Sequence, residues 1–421
     1  MTKFKALLCG SAAMLSLAGT GGANAATIVL VDQGGVANSP AAQGFAIAAA
    51  YWGSVLTNNI TIRLGVSYAA LGAGIIGSTG SSGMDYSVAN WEAGINATKS
   101  NSAVDSNIVL PTLSTGNANN SGAVAFITNG PANANGTGIN TTTFRYDNST
   151  SGTAATNNKT LYLNTANVKA VGGTAIYDAG NTQQLDGEVQ FSSNFAFDFD
   201  PTNGITANTF DFIGVAIHEI GHALGFVSGV DYLDYFGTPN GDGVANGNFN
   251  FNTTSIYSAL DMFRYSSDPR NLAPGTGPAL DLAVGSAAYF SIDGGLTQFN
   301  GNSLFATGAY NGDGDQASHW KDATGANQCG PQIGIMDPTF CFAQRGEVTA
   351  LDLAAFDAIG YNIAVDSRGT NYLRNTAEIY RQFTNAGAVP EPATWAMMLM
   401  GFGLVGGAMR RRKVSTNVSF A

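Results

Sequence analysis

The sequence predicts an α+β protein: a mixed α/β lobe first, then a central apolar helix, then a glycine-rich lobe. Three observations predict it. "ATIVLVD", "PAAQGFAIAAAYWGSVLT" from Pro40 and "NITIRLGVSY" read in order as strand, helix and strand, the pattern of a crossover unit. "TFDFIGVAIHEIGHALGF" reads as one long apolar helix. From Gly229 to Asp315 the chain is rich in Gly and Asn, which favours turns over long regular elements.

The elements follow from the N-terminus. "MTKFKALLCGSAAMLSLAGTGGANAATIV" opens with Lys3 and Lys5, continues with an apolar run, and reaches "ANA" at Ala23 to Ala25. That order is a secretory signal peptide over residues 1–25, with cleavage after Ala25. Cys9 leaves with it. Cys329 and Cys341 remain, and in an exported protein they are expected to form one disulfide. The α-helix from Pro40 starts with the residue best tolerated in a first helical turn. Residues 84–125 hold one helix, "YSVANWEAGINATK", and loops; residues 115–160, dense in Asn, Gly, Ser and Thr, read as surface loops with short strands. "LDGEVQFSSNFAFDFDP", with alternating Val189 and Phe191, reads as an edge strand. In "TALDLAAFDAIGY" Thr349 can cap a last helix, Asp352 stands three residues in, and Gly360 can end it. A weak helix and linker follow in "YLRNTAEIYRQFTNAGA".

Composition narrows the partners. The net charge is −11 and only 11% of the 421 residues are charged, which excludes nucleic acid and argues against an anionic membrane surface. "NGDG" occurs at Asn240 and at Asn311 and offers oxygen ligands for a structural calcium ion, but neither matches a full EF-hand loop. Turn-forming loops are the preferred reading.

Only three histidines occur. His218 and His222 stand four apart, about 40° of helical rotation and one turn of height, so they face one way and can grip one metal ion. Glu219 lies beside them, close enough to a metal-activated water to act as a base. With three histidines the chance that some pair stands four apart is about 1.4%, and a glutamate in the next place takes it to roughly two in ten thousand. Catalytic zinc takes three protein ligands and keeps one place open. After Glu219 no glutamate appears until Glu347. Asp231 and Asp234 are nearby candidates for the third ligand. His319, in "ASHWKD", is the stronger one, because imidazole is a common zinc ligand and no other histidine remains.

"HEIGHALGF", the distant "SHW" and "GIMDPT" around Met336 together resemble the metzincin clan of zinc metallopeptidases, and within it the leishmanolysin-like enzymes. The resemblance covers the catalytic helix and roughly residues 319–361. It implies a zincin fold with upper lobe at about 26–227 and lower lobe at about 228–365, one zinc on His218, His222 and His319, Glu219 as catalytic base, and Met336 as the floor of a Met-turn. The extended family pattern holds through Gly225, but its last place is Ser228, not histidine. Cys329 and Cys341 flank Met336, so their disulfide would stiffen that floor.

The C-terminus reads "AVPEPATWAMMLMGFGLVGGAMRRRKVSTNVSFA". A Val-Pro-Glu-Pro motif leads into an apolar run, Ala393 to Met409, closed by Arg410, Arg411, Arg412 and Lys413. As a helix the run is roughly 25 Å long, slightly short of a ~30 Å hydrocarbon core. Residues 389–413 resemble a PEP-CTERM sorting signal, preceded by a linker at 366–388. The resemblance implies an exosortase-type processing enzyme as partner, transient membrane contact through this segment, and delivery to the cell surface or extracellular matrix of a Gram-negative bacterium. The expected activity is a secreted zinc endopeptidase acting on peptide or protein substrates. The rival readings are a non-catalytic matrix or adhesion protein on a zincin scaffold, and a zinc hydrolase with a different substrate.

Overall fold

The computed structural model of the protein describes residues 25–385, apart from 73, 116–120, 134–136, 149–155, 238–250, 323–328 and 369–370, and before them the short strand Met14–Leu15. Most of the expected signal peptide, the NGDG at Asn240 and the sorting segment 389–413 lie outside the described residues.

Strand β1 (Thr27–Gly34), helix α1 (Pro40–Val55) and strand β2 (Thr61–Ala69) form the crossover unit, with β1 and β2 parallel from Thr27 opposite Thr61. Helix α1 buries most of its length because its run of Ala, Gly and aromatic residues offers close approach on nearly every side. Strand β3 (Gly77–Ser81) and helix α2 (Val88–Thr98) follow, the latter capped by Ser87, whose Oγ accepts from Asn90 N at 3.1 Å. Strand β4 (Gly187–Ser192) pairs parallel with β2 and antiparallel with β3. The sheet order is Met14–Leu15, β1, β2, β4, β3. Phe45 of α1, Phe191 of β4 and Phe212 form a ring cluster with centroids 4.6–5.1 Å apart, which ties the sheet to the helix beyond it.

Three expectations are corrected here. The segment around Val189 and Phe191 is an inner strand, with β2 on one side and β3 on the other. Its alternation reports that one face is buried, not that one edge is unpaired. The true edge is β3, whose sequence "GSTGS" is held in a strand by backbone pairing from Gly77–Phe191 to Ser81–Gly187.

The Asn-rich region is also less superficial than expected. Phe126–Gly130 and Asn140–Asp147 form an antiparallel hairpin, and the first of these strands is buried throughout. Asn158 and Asn167 are buried braces: their Nδ2 atoms donate to Val124 O and Ile359 O, both at 2.9 Å. Buried amides satisfy backbone carbonyls where no regular ladder does so. The same hairpin bridges Ile127 to Asp281, and Asn129 Oδ1 accepts from Val284 N at 2.9 Å. The hairpin thus contacts the segment around 280, beyond the expected lobe boundary at about 227.

The folded part also runs past the expected boundary at 365. Leu373–Asn375 pairs antiparallel with Glu347–Thr349, and the Tyr372 and Tyr51 hydroxyls are 3.2 Å apart. The compact unit ends at Tyr380, so the linker expected from 366 starts later; residues from Arg381 form a separate unit. Among the described residues no single helix is long and apolar enough to cross a membrane.

Candidate metal centre

Helix α3 (Phe212–Leu224) carries His218, Glu219 and His222 and is buried almost throughout. Asp211 starts it. Its Oδ1 accepts from Ile213 N and Gly214 N, each at 3.1 Å, while Oδ2 accepts from Gly346 N at 3.0 Å and from the Thr376 hydroxyl. Gly225, with φ of 120°, ends the helix in a conformation that L side chains rarely adopt. The last carbonyls are met by side chains. Asn164 Nδ2 donates to His222 O at 2.9 Å and to Ala223 O at 3.2 Å, and Tyr361 OH donates to Leu224 O at 2.7 Å.

The structure brings His319 to the two helical histidines. Their Nε2 atoms are 3.0 Å (His218–His222), 3.1 Å (His222–His319) and 3.3 Å (His218–His319) apart. Each outer nitrogen faces a backbone carbonyl: His218 Nδ1 faces Ile335 O at 2.7 Å, His222 Nδ1 faces Phe226 O at 2.7 Å, and His319 Nδ1 faces Gln316 O at 3.2 Å. A carbonyl can only accept, so each Nδ1 carries the proton. Burial, then the His222 ring, holds His218 down to about 3; burial holds His222 down to about 4, and holds His319 well below the ordinary imidazole value. All three rings are thus neutral, and three Nε2 lone pairs point at one another. Such a meeting is repulsive without a cation between them. Three ligands of a tetrahedral zinc at about 2.0–2.1 Å would stand about 3.3 Å apart, so the donor set fits that ion. Among the described residues these three are the group of His, Cys, Asp and Glu side chains placed to hold a metal.

Glu219 lies beside them, 8% exposed. Burial pushes its carboxyl up to about 7, against the pull of a hydrogen bond from Thr79. Thr79 Oγ1, on edge strand β3, donates to Glu219 Oε2 at 2.7 Å. Gly77 on the same strand leaves the room: a Cβ there would stand 2.9 Å from Glu219 Oε1. A cavity of about 460 Å³ opens over the three histidines and Glu219, bordered by β3 and Phe340. A larger polar hollow of about 720 Å³ beside the same strand has no histidine in its lining. The histidines and Glu219 line the smaller one.

Met336 is fully buried beneath the helix, and a Cβ on Gly221 would meet its Sδ at 2.6 Å. Helix α4 (Gly229–Phe236) follows α3 in sequence, and helix α5 (Ala350–Ala358) supports the methionine turn. Asp352 of α5 accepts from Trp320 Nε1 at 2.8 Å, Ile335 N at 2.9 Å, Met336 N at 3.3 Å and Thr349 N at 2.7 Å. It therefore fixes the carbonyl that orients His218. Cys329 and Cys341 are joined by a disulfide across this turn.

The other residues considered as ligands stand outside the three-histidine group, although Asp231 borders the same cavity. Ser228 caps α4, and its Oγ donates to Asp261 Oδ1 at 2.5 Å. Asp231 accepts from Ala317 N and Ser318 N. Asp234 accepts from Tyr310 N at 2.7 Å and Asn311 N at 3.0 Å, which anchors the NGDG turn at Asn311. In that turn Asp313 Oδ2 accepts from Lys321 Nζ at 2.6 Å and Oδ1 from Thr307 N at 2.9 Å. Thr79, Asn164 and Asp231 were not singled out as supports by sequence reasoning. Thr79 and Asn164 sit among many similar residues with no distinguishing spacing, whereas Asp231 carries one signal, an acid three places after the empty position at Ser228.

The PEP-CTERM protein-sorting motif matches residues 388–413. It marks an exported, surface-sorted protein of Gram-negative type, recognised by an exosortase-type processing enzyme. No curated protein and no solved structure matches the chain.

Proposed function

We propose that this exported protein is a metzincin-like zinc endopeptidase. The observation that carries the reading is the meeting of three neutral imidazole Nε2 atoms at 3.0–3.3 Å beside a buried glutamate. His218, His222 and His319 would hold the zinc, with Met336 packed below. When bound, zinc supplies Lewis acidity to a water and to a substrate carbonyl.

The chain's own groups do the rest. Glu219 Oε2 is fixed by Thr79, which leaves Oε1 to take a proton from the attacking water. The same carboxyl then delivers that proton to the leaving amine, so one water is consumed per bond cleaved. A buried carboxyl beside the attacking water is placed both to accept that proton and to return it. Strand β3 has β4 on one side, and among the described residues no strand pairs with its other side. An extended peptide can add there through backbone hydrogen bonds, next to Glu219. That edge favours a peptide over other hydrolase substrates. A pure adhesion role would give no reason for a glutamate buried next to the metal ligands.

Casein hydrolysis by the purified protein tests the reading. Activity should disappear with a zinc chelator and return on adding zinc. Absence of hydrolysis in a protein that contains stoichiometric zinc would reject the peptidase.

A further inference from the structure

The third ligand stands 97 residues beyond His222, on a loop, yet its Nε2 must be placed as well as those on the helix. Metal sites are sensitive to the groups that orient their ligands, and a misplacement of about 1 Å is enough to spoil such a site. The segment from Gln316 to His319 contains one acid-free turn, and its own sequence supplies only the long contact from His319 Nδ1 to Gln316 O, at 3.2 Å.

The holding group comes from α4. Asp231 Oδ1 accepts from Ala317 N at 2.5 Å, and Oδ2 accepts from Ser318 N at 3.0 Å and from the Ser318 hydroxyl. Ser318 Oγ in turn accepts from Ser228 N at 2.8 Å. On the far side of the loop, Arg264 donates to Ala306 O at 2.8 Å and to Ala317 O at 3.4 Å, and Ala306 N donates to His319 O at 3.0 Å. Side chains thus grip the backbone just before His319, and the Ala306 backbone, itself held by Arg264, takes the His319 carbonyl. Asp231 does not serve as the cap of its own helix; Ser228 does that, through Val230 N at 3.2 Å. Its carboxylate is turned wholly to the ligand loop.

We propose that Asp231 is the positioning residue for His319. The turn after Gly225, which in the resembling pattern would supply the third histidine at Ser228, here supplies a clamp that recruits the distant one. The role rests on the three-histidine metal centre proposed above, but not on peptidase activity.

The test uses cobalt(II) binding to the full-length protein, read by competition with a chelator and by the visible absorption of the bound ion. Asp231→Ala should weaken cobalt binding about 10–100-fold and change the visible band, as losses of ligand-orienting partners do. Added to His319→Ala, it should weaken binding no further, because the ligand it positions is already gone. Asp231→Asn, which keeps an acceptor for one amide, should recover part of the loss. Ser318→Ala, which removes the hydroxyl's bonds to Asp231 and to Ser228 N but keeps both backbone amides on Asp231, gives a milder loss in the same direction and serves if Asp231→Ala does not fold. Wild-type affinity in both Asp231→Ala and Ser318→Ala would overturn the assignment, and so would losses from Asp231→Ala and His319→Ala that add in full. A wild-type protein that takes up no cobalt removes the metal centre itself, which is a distinct result.

Discussion

The candidate site has two halves built in opposite ways. His218, Glu219 and His222 come from one helix, whose own geometry sets their spacing and whose ends are closed by Asp211 and Asn164. His319 and Met336 come from loops, and they are held by Asp231, Arg264, Asp352 and a disulfide. The backbone of the helical half is closed at its ends, and its side chains take outside partners, Glu219 from Thr79 and His218 from the Ile335 carbonyl. The loop half takes side-chain partners from outside the loops at Ala317, Ser318, Trp320, Ile335 and Met336. Regular structure supplies position through its repeat, and irregular structure must be fixed contact by contact.

The strongest way to sharpen this contrast acts on the helical half without moving anything. Glu219→Gln should keep the metal and the fold but lower hydrolysis about 10²–10⁴-fold, the usual contribution of a general acid–base group. Zinc content and casein turnover on the same sample decide it; near-normal turnover rejects Glu219 as the base.

A pH experiment probes the loop half next. Burial, with Asp322 and Asp315 adding repulsion, pushes Asp337 up to about 7, beside Met336. An unfolded aspartate titrates near about 3.9, so between about 4 and 7 the folded state holds a proton that the unfolded state has lost. Asp337 therefore stabilises the fold fully below about 4, and that contribution is lost as pH rises to about 7, with a slope of up to about 1.4 kcal/mol per pH unit. Asp337→Asn should flatten the curve. Urea unfolding of metal-free wild type and variant across this range measures it, and the difference between the two cancels the histidines. Parallel curves would mean that Asp337 titrates normally.

Opening the disulfide is a smaller perturbation. Replacing Cys329 and Cys341 by serine frees a loop of separation 12 and should cost about 2–3 kcal/mol by loop-closure reasoning, with zinc retained. Ser228→Ala should have the least effect, about 1 kcal/mol from a lost cap, because the bond from Ser228 N to Ser318 remains. Loss of zinc in this last variant would make the serine itself part of the metal's surroundings.

The two halves also differed in how well they could be read from the sequence. The helical half follows a 3.6-residue period, so its face and its histidine pair can be placed without knowing any tertiary contact. Capping of α5 by Thr349 and Asp352 was legible for the same local reason, but the second use of Asp352, under the methionine turn, was not. Strand β3 left no trace, since "GSTGS" becomes a strand only when β4 pairs with it. Val189 and Phe191 misled because burial of one face resembles exposure of one edge in a linear reading. Asparagine density suggested solvent, yet Asn158, Asn164 and Asn167 are buried where carbonyls need donors. Local rules read local structure; a pairing partner hundreds of residues away leaves no local mark.

The three carbonyls that take the outer imidazole protons, at Phe226, Gln316 and Ile335, all belong to the main chain. No point mutation deletes a backbone carbonyl. These three main-chain partners are therefore invisible to alanine scanning, unlike Asp231 and Asp352, which hold the chain that carries them. Phe226 and Ile335 are fully buried, so packing constrains their side chains, whereas the exposed Gln316 can change side chain more freely. Insertions and deletions near these three points should therefore weaken metal binding more than side-chain truncations at the same positions do.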